Sequence, residues 1–199
     1  ELGEQRLGIV IADVSGKGVP AGLLMAMCRS ALRSVAPGQS SPSKVMAAVN
    51  RQLFPDIRED MFISMAYSIL DAPSGKLTLS RAGHDPALLF RRQTGKVELL
   101  RSPGLALGID GGAVFERVTR DQEIELKSGD CVLFYTDGVK EAVDAEDEEF
   151  GMERMSETFR MAAPLGAEAV LARMQEELRQ FTGEGPQMDD ITLVAVEKR

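Results

Sequence analysis

MFISMAYSILDAPSGKLTLSRAG, residues 61–83, contains two apolar runs rich in strand-forming residues, joined by a Pro- and Gly-containing turn at 71–75. This pattern predicts a β-hairpin. Further strand-like runs are found at 7–12, 87–92, 97–100, 114–120, 122–126, 131–136 and 191–196. Because hairpins dominate and helices do not alternate regularly with strands, we expect an α+β layered sandwich with antiparallel sheets. The same pattern argues against a receiver domain, which needs regular strand–helix alternation.

Four segments have helical character. Residues 20–35 are rich in Ala, Leu and Met and contain Pro20 at a position suited to a first helical turn. A second helix is expected over 42–54, with Ser41 as its N-cap. Residues 150–162 and 166–181 show helical spacing on either side of Pro164.

Composition restricts the function. The chain has 199 residues, 44% of them hydrophobic, and a formal net charge of -8. An acidic surface opposes binding to nucleic acid or anionic lipid. The longest apolar runs, such as LLMAMC at 23–28, fall well short of the roughly 18 residues that a membrane span needs. We therefore predict a cytoplasmic protein without membrane insertion, in which Cys28 and Cys131 are reduced core residues.

Three aspartates stand at the ends of predicted strands. Asp13 and Asp137 follow apolar runs, whereas Asp189, with Asp190 beside it, precedes one. In an antiparallel sheet the end of one strand and the start of its neighbour share an edge, so these carboxylates can converge.

Such a cluster predicts a site for a hard divalent cation. Neighbouring strands are only about 4.8 Å apart, and facing carboxylates repel unless a cation lies between them. Oxygen ligands favour Mg²⁺ or Mn²⁺ over zinc or copper. The alternative is that these aspartates are ordinary turn and strand-cap residues, since Asp favours turns.

Six segments, taken together and in this order, resemble the PPM (type 2C-like) metal-dependent protein phosphatases. They are GIVIADVSGKGVPAGLLM, FISMAYSILD, LSRAGHDPALLF, SGDCVLFYTDGVKEA, FG and MDDITLVAV. The resemblance is to the bacterial sporulation and stress sigma-factor regulator branch and extends from Leu7 to Val196. It implies an αββα sandwich of two mainly antiparallel sheets flanked by helices. It also implies hydrolysis of phosphoserine or phosphothreonine by a metal-bound water, with two ions in the complete domain.

The resemblance assigns roles to individual residues. Asp13 would bridge the two metals, and Val14 would offer its backbone carbonyl. Asp137 and Asp189 would complete the second metal's ligands, with Asp190 as a lesser candidate. Candidates for the substrate loop are Gly16, Lys17, Gly18 and His84. For Lys17 a solvated loop lysine is an equal alternative, and for His84 a turn residue held by local hydrogen bonds is preferred.

One family motif is missing. Gly-Asp-x-x-Asp, expected on a strand before the one that ends at Asp13, does not occur in residues 1–6. We interpret residues 1–199 as a single PPM-type domain that lacks its N-terminal strand and any upstream sensor or receiver domain. The alternative is a catalytically impaired pseudophosphatase, or an output module that only binds its partner.

The resemblance also implies a partner. The substrate would be a phosphorylated STAS-type anti-sigma-factor antagonist, and a homodimer is compatible with the family. Residues 16–18 (GKG) do not form a phosphate-binding P-loop, because the P-loop spacing and its following Ser or Thr are absent.

Overall fold

The computed structural model describes residues 1–3, 5–183, 185 and 187–199, and the chain forms two compact units. The first unit contains Glu1–His84 and Ser102–Glu125, and the second contains Asp85–Arg101 and Leu126–Arg199. The elements, in chain order, are β1 (Arg6–Val14), α1 (Val19–Val35), α2 (Pro42–Leu53), β2 (Ile63–Asp71), β3 (Lys76–Ala82), β4 (Ala87–Arg91), β5 (Lys96–Leu100), α3 (Ala113–Val118), β6 (Gln122–Glu125), β7 (Cys131–Tyr135), α4 (Gly151–Ala162), α5 (Ala167–Thr182) and β8 (Leu193–Glu197).

The first unit is an antiparallel sheet of order β1-β2-β3-β6 with helices on one face. Alternate residues of β2, such as Met65 and Tyr67, pack against the buried faces of α1 and α2. The other face of β2 is buried as well, at Ala66 and Ser68. Burial on both faces explains why the 61–70 run is apolar almost throughout rather than alternating.

The second unit is an antiparallel sheet of order β5-β4-β7-β8. Its strand β7 is completely buried, and Leu133 and Tyr135 face the apolar sides of α4 and α5. The predicted fold class, α+β with two antiparallel sheets flanked by helices, is therefore confirmed.

Most predicted elements agree with the structure to within two residues. Ser41 caps α2 as expected, since its Oγ accepts the Lys44 N–H at 3.4 Å. The last strand, predicted from residue 191, begins at Leu193. The loop predicted over 182–187 lies partly outside the described residues.

One element was predicted wrongly. Residues 114–120 were expected to form a half-exposed strand, but most of this segment belongs to α3 (Ala113–Val118). The carboxylate of Asp110 accepts the N–H groups of Gly112, Val114 and Phe115 at 2.9–3.1 Å, and so satisfies the donors at the helix start. In a helix of six residues a single buried side chain, Phe115, leaves no periodic pattern that distinguishes helix from strand.

No helix in the described part of the chain combines the length and apolar composition that a membrane span requires.

Candidate active site

Asp13 is the penultimate residue of β1, in the first unit. It lies opposite Ser64 of β2, and Val14 lies opposite Ile63. The register places Asp13 and Ser64 on the sheet face opposite the α1–α2 helices, in line with the buried Ile11. The strand, expected over 7–12, thus extends through Asp13, which is paired within the sheet one residue before β1 ends.

The loop after Asp13 is tied to β2 through Ser15. The Ser15 N–H donates to the Phe62 carbonyl at 3.0 Å, and the Phe62 N–H donates to Ser15 Oγ at 2.8 Å. Gly16 and Gly18 have φ values of 89° and 81°, in the region that favours glycine, so both residues shape this turn. Lys17 is exposed between them. A contact of this loop with substrate remains a prediction.

His84 is buried, with only 4% of its surface exposed. Its Nδ1 lies 2.8 Å from Ser64 Oγ, and the Arg81 guanidinium donates to its backbone carbonyl. This environment favours the structural interpretation of His84 over direct contact with phosphate. Because Ser64 is the cross-strand neighbour of Asp13, His84 nonetheless supports the strand beside that carboxylate.

Asp137 and Asp189 lie on adjacent segments of the second unit. Asp137 begins a single 3-10 turn after β7, and its Oδ1 accepts the Gly138 N–H at 3.0 Å. A methyl group added to Gly138 would lie 2.6 Å from the carbonyl oxygen of Asp190, so the two backbones are in direct contact. Gly138 is required here for close approach rather than for its φ angle.

Thr136 joins these two segments. Its Oγ1 donates to the Asp190 carbonyl and accepts the Thr192 N–H, both at 2.9 Å. Asp189 Oδ1 accepts the Asp190 N–H at 2.8 Å, and both of these aspartates are exposed. The backbone carbonyl of Asp190 thus anchors the loop to Thr136, while the Asp190 carboxylate remains at the surface.

In the second unit, the structure therefore places the backbone of the Asp137 turn against the segment that carries Asp189 and Asp190. Asp13 and Val14 belong to the first unit. Within either unit, the described residues contain no group of three or more His, Cys, Asp or Glu side chains arranged to hold a metal. Sequence reasoning missed Ser64 and Thr136, the polar side chains that support the aspartates. For Thr136 the sequence held a signal, since it is the Thr of the TDG motif and directly precedes Asp137.

The model of the stage II sporulation protein E (SpoIIE) family matches residues 3–199. The chain belongs to the SpoIIE family. This match confirms the resemblance to bacterial PPM-type phosphatases that the motifs indicated, and it spans both units.

Individual relatives agree with this assignment. Phosphoserine phosphatase RsbU of Bacillus subtilis is 33% identical over 138 residues, which are 69% of this chain and 40% of RsbU. The solved RsbU and RsbW domains of Rv1364c from Mycobacterium tuberculosis superpose with a TM-score of 0.80 at 27% identity, covering 98% of this chain and 52% of that one. The chain spans less than half the length of the curated relatives it matches.

A more distant solved structure shares the fold of this SpoIIE-family chain. The catalytic domain of the serine/threonine protein phosphatase PstP, solved in complex with two manganese ions, has a TM-score of 0.67 at 16% identity. It covers 96% of this chain and 86% of that one. At this identity the likeness shows the fold alone.

Proposed function

We propose that this chain is the catalytic domain of a metal-dependent protein serine/threonine phosphatase. The observation that carries the proposal is the backbone contact at Gly138, which holds Asp137 beside Asp189 and Asp190. We take this backbone contact to bring the Asp137 and Asp189 carboxylates within reach of one cation. Paired carboxylates of this kind suit a hard cation.

The donor set fits Mg²⁺ or Mn²⁺. Within the second unit, Asp137 and Asp189 would hold one ion, with Asp190 as a further oxygen donor. For Asp13 and the Val14 carbonyl, metal binding stays a prediction from the family resemblance. When bound, such an ion neutralises phosphate charge and lowers the pKa of water. PstP, which has the same fold, was solved with two manganese ions, and this supports two ions here.

The protein's own residues then have defined tasks. Thr136 and Gly138 keep the carboxylates in position, and the turn formed by Gly16, Lys17 and Gly18 is proposed to lie beside the substrate. Water adds to phosphorus, the ester bond to the serine or threonine oxygen breaks, and inorganic phosphate and the free hydroxyl result. No Ser–His or Cys–His nucleophile is needed for this reaction.

We further propose a phosphorylated STAS-type anti-sigma-factor antagonist as substrate, within a pathway that an upstream sensor or receiver domain regulates. Phosphoserine phosphatase RsbU is 33% identical over its match. This relative supports phosphoserine as the residue whose phosphate ester is hydrolysed. The acidic net charge of -8 supports a protein partner rather than a nucleic acid.

The test is phosphate release from a phosphoserine peptide by the full chain, with and without Mn²⁺. Asp13→Ala and Asp137→Asn should each lower kcat/KM by more than about 100-fold, because loss of even an outer-shell partner of a metal typically costs 10- to 100-fold. Asp56→Ala, which removes an exposed carboxylate from a surface 3-10 turn, is the matched control and should behave as wild type. Mn²⁺ binding without turnover would instead identify a binding module, and absence of both would refute the proposal.

A further inference from the structure

Lys140 lies on the same turn as Asp137. The backbone N–H of Lys140 and that of Glu141 both donate to the Asp137 carbonyl, the latter at 2.9 Å. On its other side the turn is held by the Val139 N–H, which donates to the Thr136 carbonyl at 3.1 Å. Movement of Lys140 would therefore be transmitted to the backbone of Asp137.

The side chain of Lys140 forms an ion pair across 55 residues of sequence. Its Nζ lies 3.0 Å from Asp85 Oδ2 and 3.5 Å from Glu141 Oε1. The side chains of Lys140 and Asp85 are only 28% and 24% exposed, compared with 46% and 59% for the surface pair Arg160–Glu157. Partial burial reduces screening by solvent and salt, so this pair is held more firmly than the surface one.

The charge of Lys140 is secured by its partners. Burial lowers the pKa of Lys140, but the hydrogen bond and negative charge of Asp85, together with Glu141, outweigh this effect and raise the pKa. Lys140 thus remains positively charged among carboxylates throughout the physiological pH range.

Asp85 is a rigid attachment point. It precedes Pro86, which restricts Asp85 to extended conformations, and β4 begins at Ala87. β4 lies between β5 and β7, and its residues 87–90 are buried. A contact to Asp85 therefore connects the Asp137 turn to the interior of the second unit's sheet.

We propose that Lys140 and Asp85 are positioning residues for Asp137, and that their ion pair fixes the direction of the Asp137 carboxylate beside Asp189. Thr136 secures the turn on the strand side, and Lys140 secures it on the opposite side. The inference rests on the proposed function, because it takes Asp137 to be a metal ligand. A pair that contributed only to global stability would not alter the local order of this turn or its affinity for a cation.

The test uses Lys140→Met, which removes the charge but keeps an unbranched apolar side chain, together with Asp85→Asn and the double variant. Mn²⁺ affinity is measured by titration calorimetry, and backbone order by hydrogen exchange of residues 137–141. Each single variant should raise the Kd for Mn²⁺ about 10-fold, the lower end of the loss expected for a supporting contact, and should speed exchange in the turn. The double variant should lose no more than the worse single variant, because the two residues act as one pair.

Arg160→Met is the matched control, since it breaks an ion pair on α4 and should leave both measurements unchanged. A wild-type Kd and wild-type exchange in Lys140→Met would overturn the inference. So would faster exchange spread evenly over the chain, which would show a purely structural pair. If the wild-type chain binds no Mn²⁺, the proposed metal centre fails, whereas exchange of residues 137–141 still decides whether the pair positions the turn.

Discussion

At the scale of single residues, Thr136 shows how a neutral side chain organises a carboxylate site. Its hydroxyl is buried and makes two hydrogen bonds of 2.9 Å to the segment that carries Asp189 and Asp190. A hydroxyl can donate one hydrogen bond and accept another. Burying a charged group in this position would cost more free energy of desolvation. The distance between the two acidic segments is therefore set by Thr136 and Gly138 rather than by the aspartates themselves.

Thr136→Val should destabilise the protein by about 1–3 kcal/mol. Valine has a similar shape but no hydroxyl, so the Asp190 carbonyl and the Thr192 N–H lose their hydrogen-bond partner. Urea unfolding measures this change in the free energy of unfolding. Thr192→Val is the control: its side chain is exposed in the adjacent loop, and a change within about 0.5 kcal/mol is expected. Equal stability of the two variants would show that the Thr136 hydrogen bonds contribute nothing.

At the scale of elements, α3 depends on one carboxylate outside the helix. Asp110 accepts hydrogen bonds from the backbone of Phe115, Gly112 and Val114, and these bonds lower its pKa. A group whose pKa is lower in the folded state stabilises that state above the unfolded pKa, about 3.9 for Asp. This stabilisation is lost as the pH falls through the folded pKa.

The expected pH dependence can be tested with two variants of Asp110. Asp110→Ala should lower the urea midpoint at neutral pH, whereas Asp110→Asn keeps the acceptor oxygen and should lower it less. The difference between wild type and Asp110→Asn reports the charge, and it should shrink as the pH falls below about 4. A difference that stayed constant from about pH 7 to pH 3 would contradict the role of the carboxylate charge.

The same helix shows why one element was predicted wrongly. Long segments such as 20–35 and 42–54 contain enough turns for period and capping to agree, and both were located to within a residue. Residues 114–120 offered an apparent alternation of apolar and polar side chains over a stretch too short to establish a period. Asp110 lies upstream of that stretch, so its capping bonds were visible only in the structure.

At the scale of the whole molecule, each unit contains one cysteine in its core. Cys28 packs in the first unit and Cys131 in the second, and both thiols are free and at most 1% exposed. Burial raises the pKa of Cys28 to about 11. For Cys131, burial and then the charge of Glu197 raise the pKa to about 12. The prediction that both are reduced core residues is confirmed.

Neither thiol should react with a disulfide reagent in the native protein. A thiol with a pKa of about 11 is only about one-thousandth thiolate at pH 8, and the reagent must also reach a buried sulfur. Cys28→Ala and Cys131→Ala each leave a single thiol, so that labelling reports one unit at a time. Both should label fully in guanidinium and only slowly without it; labelling within seconds under native conditions would contradict the burial described.

The amino-acid sequence by itself determined the antiparallel hairpins, the limits of the long helices, the burial of the cysteines and the family motifs around Asp13, Asp137 and Asp189. The first three follow from side-chain chemistry or from a period of two to four residues, whereas the motifs were recognised by their resemblance to a known family. Tertiary structure alone decided the supporting contacts Ser64–His84, Thr136–Asp190 and Lys140–Asp85, which join residues 20, 54 and 55 positions apart. Strand register and loop packing select such partners, and neither is encoded within the local windows from which sequence patterns are inferred.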